Sequence, residues 1–134
     1  MKNIRQYIPL ILLFILWGFT AVHFFDLPDK IPIHFNAKGI ADGYATRIHC
    51  WGLPLIATLL YFGLNFPLKR SGIKAAEKKV LKWMQGVLMV VFIYIQYQSF
   101  LVALGRSDGL GTWFLPLTFV ALMVPVFFGI RQKN

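Results

Sequence analysis

Acidic residues are scarce in this chain. Five Asp and Glu stand among 134 residues against fourteen Lys and Arg, and charged residues make up only 14% of the whole. Soluble domains carry about a quarter charged residues, so an ordinary globular surface is excluded. A single cysteine, Cys50, rules out an intrachain disulfide and leaves the redox compartment unread. Beside an apolar segment it reads as a small buried hydrophobe. There is no HExxH, no CxxC, no phosphate-cradling glycine loop and no recognisable nucleophile–histidine triad. Internal repeats and low-complexity tracts are absent too. Catalysis is therefore not expected. No catalytic residue, metal ligand or cofactor is assigned.

What is abundant is apolar. Hydrophobic residues reach 57% and the mean hydropathy is +0.62. They gather in four stretches, about Tyr7–Phe25, Cys50–Leu68, Leu81–Leu104 and Leu110–Ile130. A bilayer core needs about 20 residues at helical rise, and each stretch is near that length. None contains a carboxylate, and Lys82, at the edge of the third, is the only basic residue within them. This agrees with a cost of about 2.5–3.5 kcal/mol for a charge at a helix centre. The first stretch, preceded by Lys2 and Arg5, has an apolar run longer than the roughly 7–15 residues of a signal sequence. It is expected to be a retained helix. The expected fold is a single-domain, all-α membrane protein over residues 1–134, with four transmembrane helices and an ordered outer loop between the first two.

The net charge of +9 raises nucleic-acid binding, but its distribution argues for lipid instead. With the N-terminus inside, the inner segments hold Lys2, Arg5, Lys69, Arg70, Lys74, Lys78, Lys79, Lys82, Arg131 and Lys133. The outer loops hold only Lys30, Lys38, Arg47 and Arg106. That asymmetry predicts two cytoplasmic termini in a cell membrane, with Trp51 and Trp113 at the outer interface and Trp83 at the inner one. No nucleic-acid partner is expected.

One segment is polar enough to carry a task, the outer loop from Leu27 to Arg47. Ile31, Ile33 and Phe35 alternate with Pro32, His34 and Asn36, which predicts a short extended piece with one apolar face. Pro28 and Pro32 lack an N–H, so an edge or isolated strand is favoured. Gly39 and Asp42-Gly43 punctuate turns. The expectation is a hairpin-like cap with Ile31, Ile33 and Phe35 packed onto helix ends and His34, Asn36 and Asp42 facing outward. Three readings stay open for the polar set. Asp42 begins a turn while His34 bonds backbone, or they contact a ligand or partner, or His34 and Asp42 join Asp26 or Asp29 on a metal. His23 and His49 near the same rim would make a pH-sensitive patch if they clustered with His34.

Leu27, Pro28, Ile31, Pro32, His34, Phe35, Asn36, Gly39, Asp42, Gly43 and Tyr44 reproduce a spaced pattern. It resembles the signature of the domain-of-unknown-function 1648 (DUF1648) family, small bacterial and archaeal membrane proteins. The likeness spans about a sixth of the chain, and Ala45, Thr46 and Arg47 replace the Gly-Ser-Lys that often follows in that family. The same domain forms the N-terminal part of SdpI-like immunity and signalling proteins, which bind an extracellular peptide toxin and tether a repressor. The resemblance implies an outward ligand-sensing surface, although a second polar loop of the kind found in the longer immunity proteins is missing. The candidate recognition residues are Pro32, His34, Asn36, Gly39, Asp42, Gly43, Tyr44 and Arg47.

Two further features have a functional and a plainer reading. Gln85, Gln96 and Ser99 fall within about 40° of one face of the third helix, whereas Tyr97 and Gln98 point elsewhere. Such side chains glue helices together or line a substrate path. The Lys69–Lys82 link contains Ser71-Gly72, a helix break, then a good helix former that extends the third helix. Its cations set topology, and they also suit anionic lipid or an acidic cytoplasmic partner. Pro54 and Pro116 sit in first turns, and Pro125 lies inside the fourth stretch, where it is expected to kink the helix. The leading expectation is a non-enzymatic binding or sensing module in the bilayer, with a protein or peptide partner on the outer face. An accessory subunit of a transporter is the alternative, and a metal-dependent membrane enzyme a third.

Overall fold

The computed structural model describes residues 3–131, and it is mostly helical. Helix α1 runs Ile8–His23, α2 Gly52–Leu68, α3 Ala75–Ala103 and α4 Phe114–Arg131. Between α1 and α2 stand two strands, β1 (Lys30–Phe35) and β2 (Ala41–Thr46), paired antiparallel as a hairpin. Short 3₁₀ turns at Ile4–Tyr7, Phe24–Asp26 and Arg47–Trp51 join the helices to what precedes or follows them. Counting those turns, Ile4–Asp26, Arg47–Leu68 and Ala75–Ala103 are long and apolar enough to cross a membrane, and Phe114–Gly129 is a shorter apolar helix. The chain is thus a membrane protein with three to four candidate spans, and the all-α expectation is amended by the small sheet.

Chain chemistry accounts for the boundaries. Pro54 and Pro116 occupy the third positions of α2 and α4, where no intrahelical N–H bond is lost. Gly72 takes φ 97° in the turn after α2, and the Glu77 carboxylate accepts from the Lys74 N–H at 3.3 Å to start α3. Helix α3 therefore begins six residues before its apolar stretch, as the helix-forming link suggested. Helix α4 starts at Phe114 rather than Leu110. Leu110 is buried and donates its N–H to the Gly39 carbonyl at 2.7 Å, so residues 110–113 are spent on a turn. Helix α4 continues unbroken through Pro125.

Helix α3 is the axis of the bundle and packs against α1, α2 and α4. One apolar cluster gathers Leu13, Leu16, Ala57 and Met89, with Trp17, Tyr61 and Phe92 around it. A second gathers Leu27, Ile31, Cys50 and Phe100 under the hairpin. Cys50 is the buried small hydrophobe its surroundings suggested, at 3% exposure.

Buried polar side chains of α3 tie these layers. The Gln96 amide donates to Thr20 Oγ1 on α1 and to the Cys50 carbonyl ahead of α2, both at 2.9 Å. The Gln85 amide donates to the Tyr61 carbonyl of α2 at 3.0 Å, while its Oε1 is buried without a partner among the described residues. Ser99 is buried on the same face. Tyr97 is exposed, and Gln98 turns to Tyr94 and Ser107. The face read from spacing is the buried face.

Candidate functional site

The hairpin sits at the end of the bundle where α1 and α3 finish and α2 begins. Its register is irregular. Pro32 opposes Tyr44, His34 opposes Gly43 and Phe35 opposes Ala41, which leaves Ile33 unpaired on one strand and Asp42 on the other. Each strand carries one extra residue, and in β1 period-two alternation is broken. Ile31 and Pro32 are both buried as a result, while Ile33 is 53% exposed and His34 also faces out. The expectation that Ile31, Ile33 and Phe35 share one packed face is corrected: Ile31 is buried, Phe35 partly so, and Ile33 points to the surroundings. On β2 alternation survives, with Asp42, Tyr44 and Thr46 outward.

The two irregularities bring His34 and Asp42 together. Nδ1 of His34 lies 2.5 Å from Oδ1 of Asp42, so the ring orientation is fixed by a carboxylate although the pair stays exposed. Gly43 makes this possible, since a Cβ there would stand 3.0 Å from the His34 Cβ. The sequence leaves His34 three roles: bonding backbone, contacting a ligand or partner, or joining Asp42 on a metal. The structure gives it a side-chain partner eight residues away.

Asn36 is placed differently from the expectation of an outward-facing group. Its Oδ1 accepts from the N–H groups of Lys38 (2.9 Å) and Ile40 (3.1 Å), an Asx-type turn that closes the hairpin. Replacing Asn36 with alanine is expected to cost about 1 kcal/mol. Hydrogen exchange at the Lys38 and Ile40 amides should accelerate while that of α2 stays unchanged. Arg47 is also engaged: its guanidinium lies over the Phe24 ring at 5.5 Å and its N–H donates to the Asp29 carbonyl.

Gly39 locks the tip of the hairpin to the loop between α3 and α4. With φ 78° it lies in the left-handed region, and a Cβ there would stand 2.6 Å from the Gly111 carbonyl oxygen. Ile40 forms an isolated bridge with Gly109 beside it. Gly109 and Gly111, part of this contact, were not singled out from the sequence. The signal was available in the glycine spacing Gly105, Gly109, Gly111 within one short connection.

Each of the three histidines has a local partner of its own. His23 lies 3.4 Å from Asp26, His34 pairs with Asp42, and His49 contacts the Thr46 hydroxyl and carbonyl at 3.1 Å. Among the described residues no group of three or more His, Cys, Asp and Glu is arranged to hold a metal ion. Exposed on the strands are Lys30, His34, Asp42, Tyr44 and Thr46, flanked by Ile33.

The family model described as Domain of unknown function (DUF1648) matches residues 11–58. That stretch runs from α1 through the whole hairpin into the first turns of α2, so the match coincides with the elements that build the site. Neither a curated protein nor a solved structure matches the chain.

Proposed function

We propose that the chain is a non-enzymatic recognition module of the bacterial cell membrane, with the hairpin outside the cell and both termini in the cytoplasm. The observation that carries this reading is the outward presentation of His34 and Asp42, hydrogen-bonded to each other on a hairpin tied to the bundle. The hairpin is held from below by Leu27 and Ile31, and at its tip by Gly39 against the α3–α4 loop. An exposed hydrogen-bonded couple of this kind contributes only about 0–1 kcal/mol to stability, so folding alone gives little reason to build so ordered a platform for it. A paired imidazole and carboxylate beside Tyr44 and Ile33 offers donors, an acceptor and apolar area to a peptide or to the outer loop of another membrane protein. Sidedness rests on the cationic residues at the opposite end of the bundle. The resemblance to the N-terminal part of SdpI-like proteins favours a role in toxin immunity or signalling within this class.

Cross-linking and co-purification from native membranes test the reading, comparing wild type with a His34→Ala/Asp42→Ala variant at equal abundance. A partner recovered by wild type and lost by the variant is the expected result. An unchanged set of partners sinks it and leaves the hairpin a structural cap.

A further inference from the structure

Away from the hairpin, α1 and α4 leave a long open groove over α3, with a cavity of about 1020 Å³. Small-molecule sites run to roughly 1,000 Å³, so this is large for a chain of 134 residues. Its floor is a stripe of α3 at helical spacing: Lys79, Lys82, Gly86, Val90 and Tyr94. Ile8 and Leu12 of α1 form one wall, and Leu117 and Ala121 of α4 the other.

The two ends of the groove differ in kind. At one end are four cations, Arg5, Lys78, Lys79 and Lys82, and no carboxylate lines the groove among the described residues. The other end is plugged by aromatics. Tyr94 stacks on Phe114 at 5.2 Å and 18°, lies 5.5 Å from Trp113, and donates its hydroxyl to the Leu110 carbonyl at 2.9 Å. From Lys79 to Tyr94 the helix rises about 22 Å, more than the roughly 15 Å of one leaflet's hydrocarbon.

We propose that this groove is a binding site for an anionic phospholipid, its phosphate on Arg5, Lys78, Lys79 and Lys82 and an acyl chain laid along α3 toward Tyr94. Charge complementarity selects this occupant. A second copy inserted in the same orientation brings its own cations to the same level, where they repel. A neutral lipid brings no net negative charge to these four cations. The site is independent of the hairpin and of any partner there.

Gly86 supplies the decisive variant, because it lines the groove floor and a Cβ on it meets nothing within 4 Å. Purified protein is titrated with phosphatidylglycerol or phosphatidylcholine in detergent and read by native mass spectrometry, with thermal melting as a control on folding. Wild type is expected to prefer phosphatidylglycerol. The Lys78→Gln/Lys79→Gln/Lys82→Gln variant should lose roughly fivefold in affinity for that lipid per cation removed, and keep its phosphatidylcholine binding. Gly86→Phe should lose both lipids while melting in detergent no lower than wild type. Equal binding of the two lipids by wild type overturns the proposal. So does phosphatidylglycerol binding that survives Gly86→Phe, which places the lipid elsewhere. A dimer that disappears with Gly86→Phe overturns it too, in favour of a second copy.

Discussion

Replacing Gly39 with alanine is expected to destabilise the protein by about 2–5 kcal/mol and to free the hairpin from the α3–α4 loop. Two costs combine. A residue with a Cβ at a left-handed φ of 78° loses about 1–2 kcal/mol. The added atom also stands 2.6 Å from the Gly111 carbonyl, a backbone atom that cannot rotate away, and such overpacking costs about 1–3 kcal/mol. Relief requires the tip to lift, which breaks the bond from the Leu110 N–H to the Gly39 carbonyl. Hydrogen exchange separates this local release from general unfolding. The Leu110 amide should lose protection, while amides in the middle of α3 keep theirs relative to the lowered global stability. Unchanged protection at Leu110 would show that the loop does not hold the hairpin. If the hairpin is a recognition platform, the same variant should weaken partner capture without touching His34 or Asp42.

The second large effect is expected at Gln96. Its amide bonds Thr20 on α1 and the Cys50 carbonyl ahead of α2, joining three segments at one buried point. A Gln96→Leu change keeps most of the volume and removes both bonds. Interhelical hydrogen bonds in membranes average about 0.6 kcal/mol and reach about 1.7, so a loss of about 1–2 kcal/mol is expected in an equilibrium unfolding measurement such as steric trapping. Thr20 keeps its own bond to the Leu16 carbonyl at 2.8 Å, which leaves the Cys50 carbonyl as the group stranded by the change. A double-mutant cycle with Thr20→Ala should therefore show coupling smaller than the Gln96 effect itself. A fully additive cycle would mean that the Thr20 contact contributes nothing. The result also bears on the transporter alternative, because a residue that only joins helices should change stability without changing any flux.

The sequence by itself determined that this is a membrane protein, where its apolar helices lie, and which face of α3 is buried. Hydropathy and helical period are properties of one segment at a time. Gln85, Gln96 and Ser99 could be placed together because three residues eleven and three apart must share a side of a helix. The hairpin was legible as well, from its alternation and turn residues, and so was the stripe of cations that ends at Lys82. Tertiary structure decided the rest. The paired irregularities that turn Ile33 outward and set His34 against Asp42 depend on how two strands align, which neither strand specifies alone. Asn36 looked like an outward polar group and is instead taken up by its own turn. The lock between Gly39 and the Gly109–Gly111 backbone joins residues about 70 positions apart, and the open groove over α3 depends on how α1 and α4 are spaced. Such features arise from the distance between elements, and a linear pattern carries no measure of that distance.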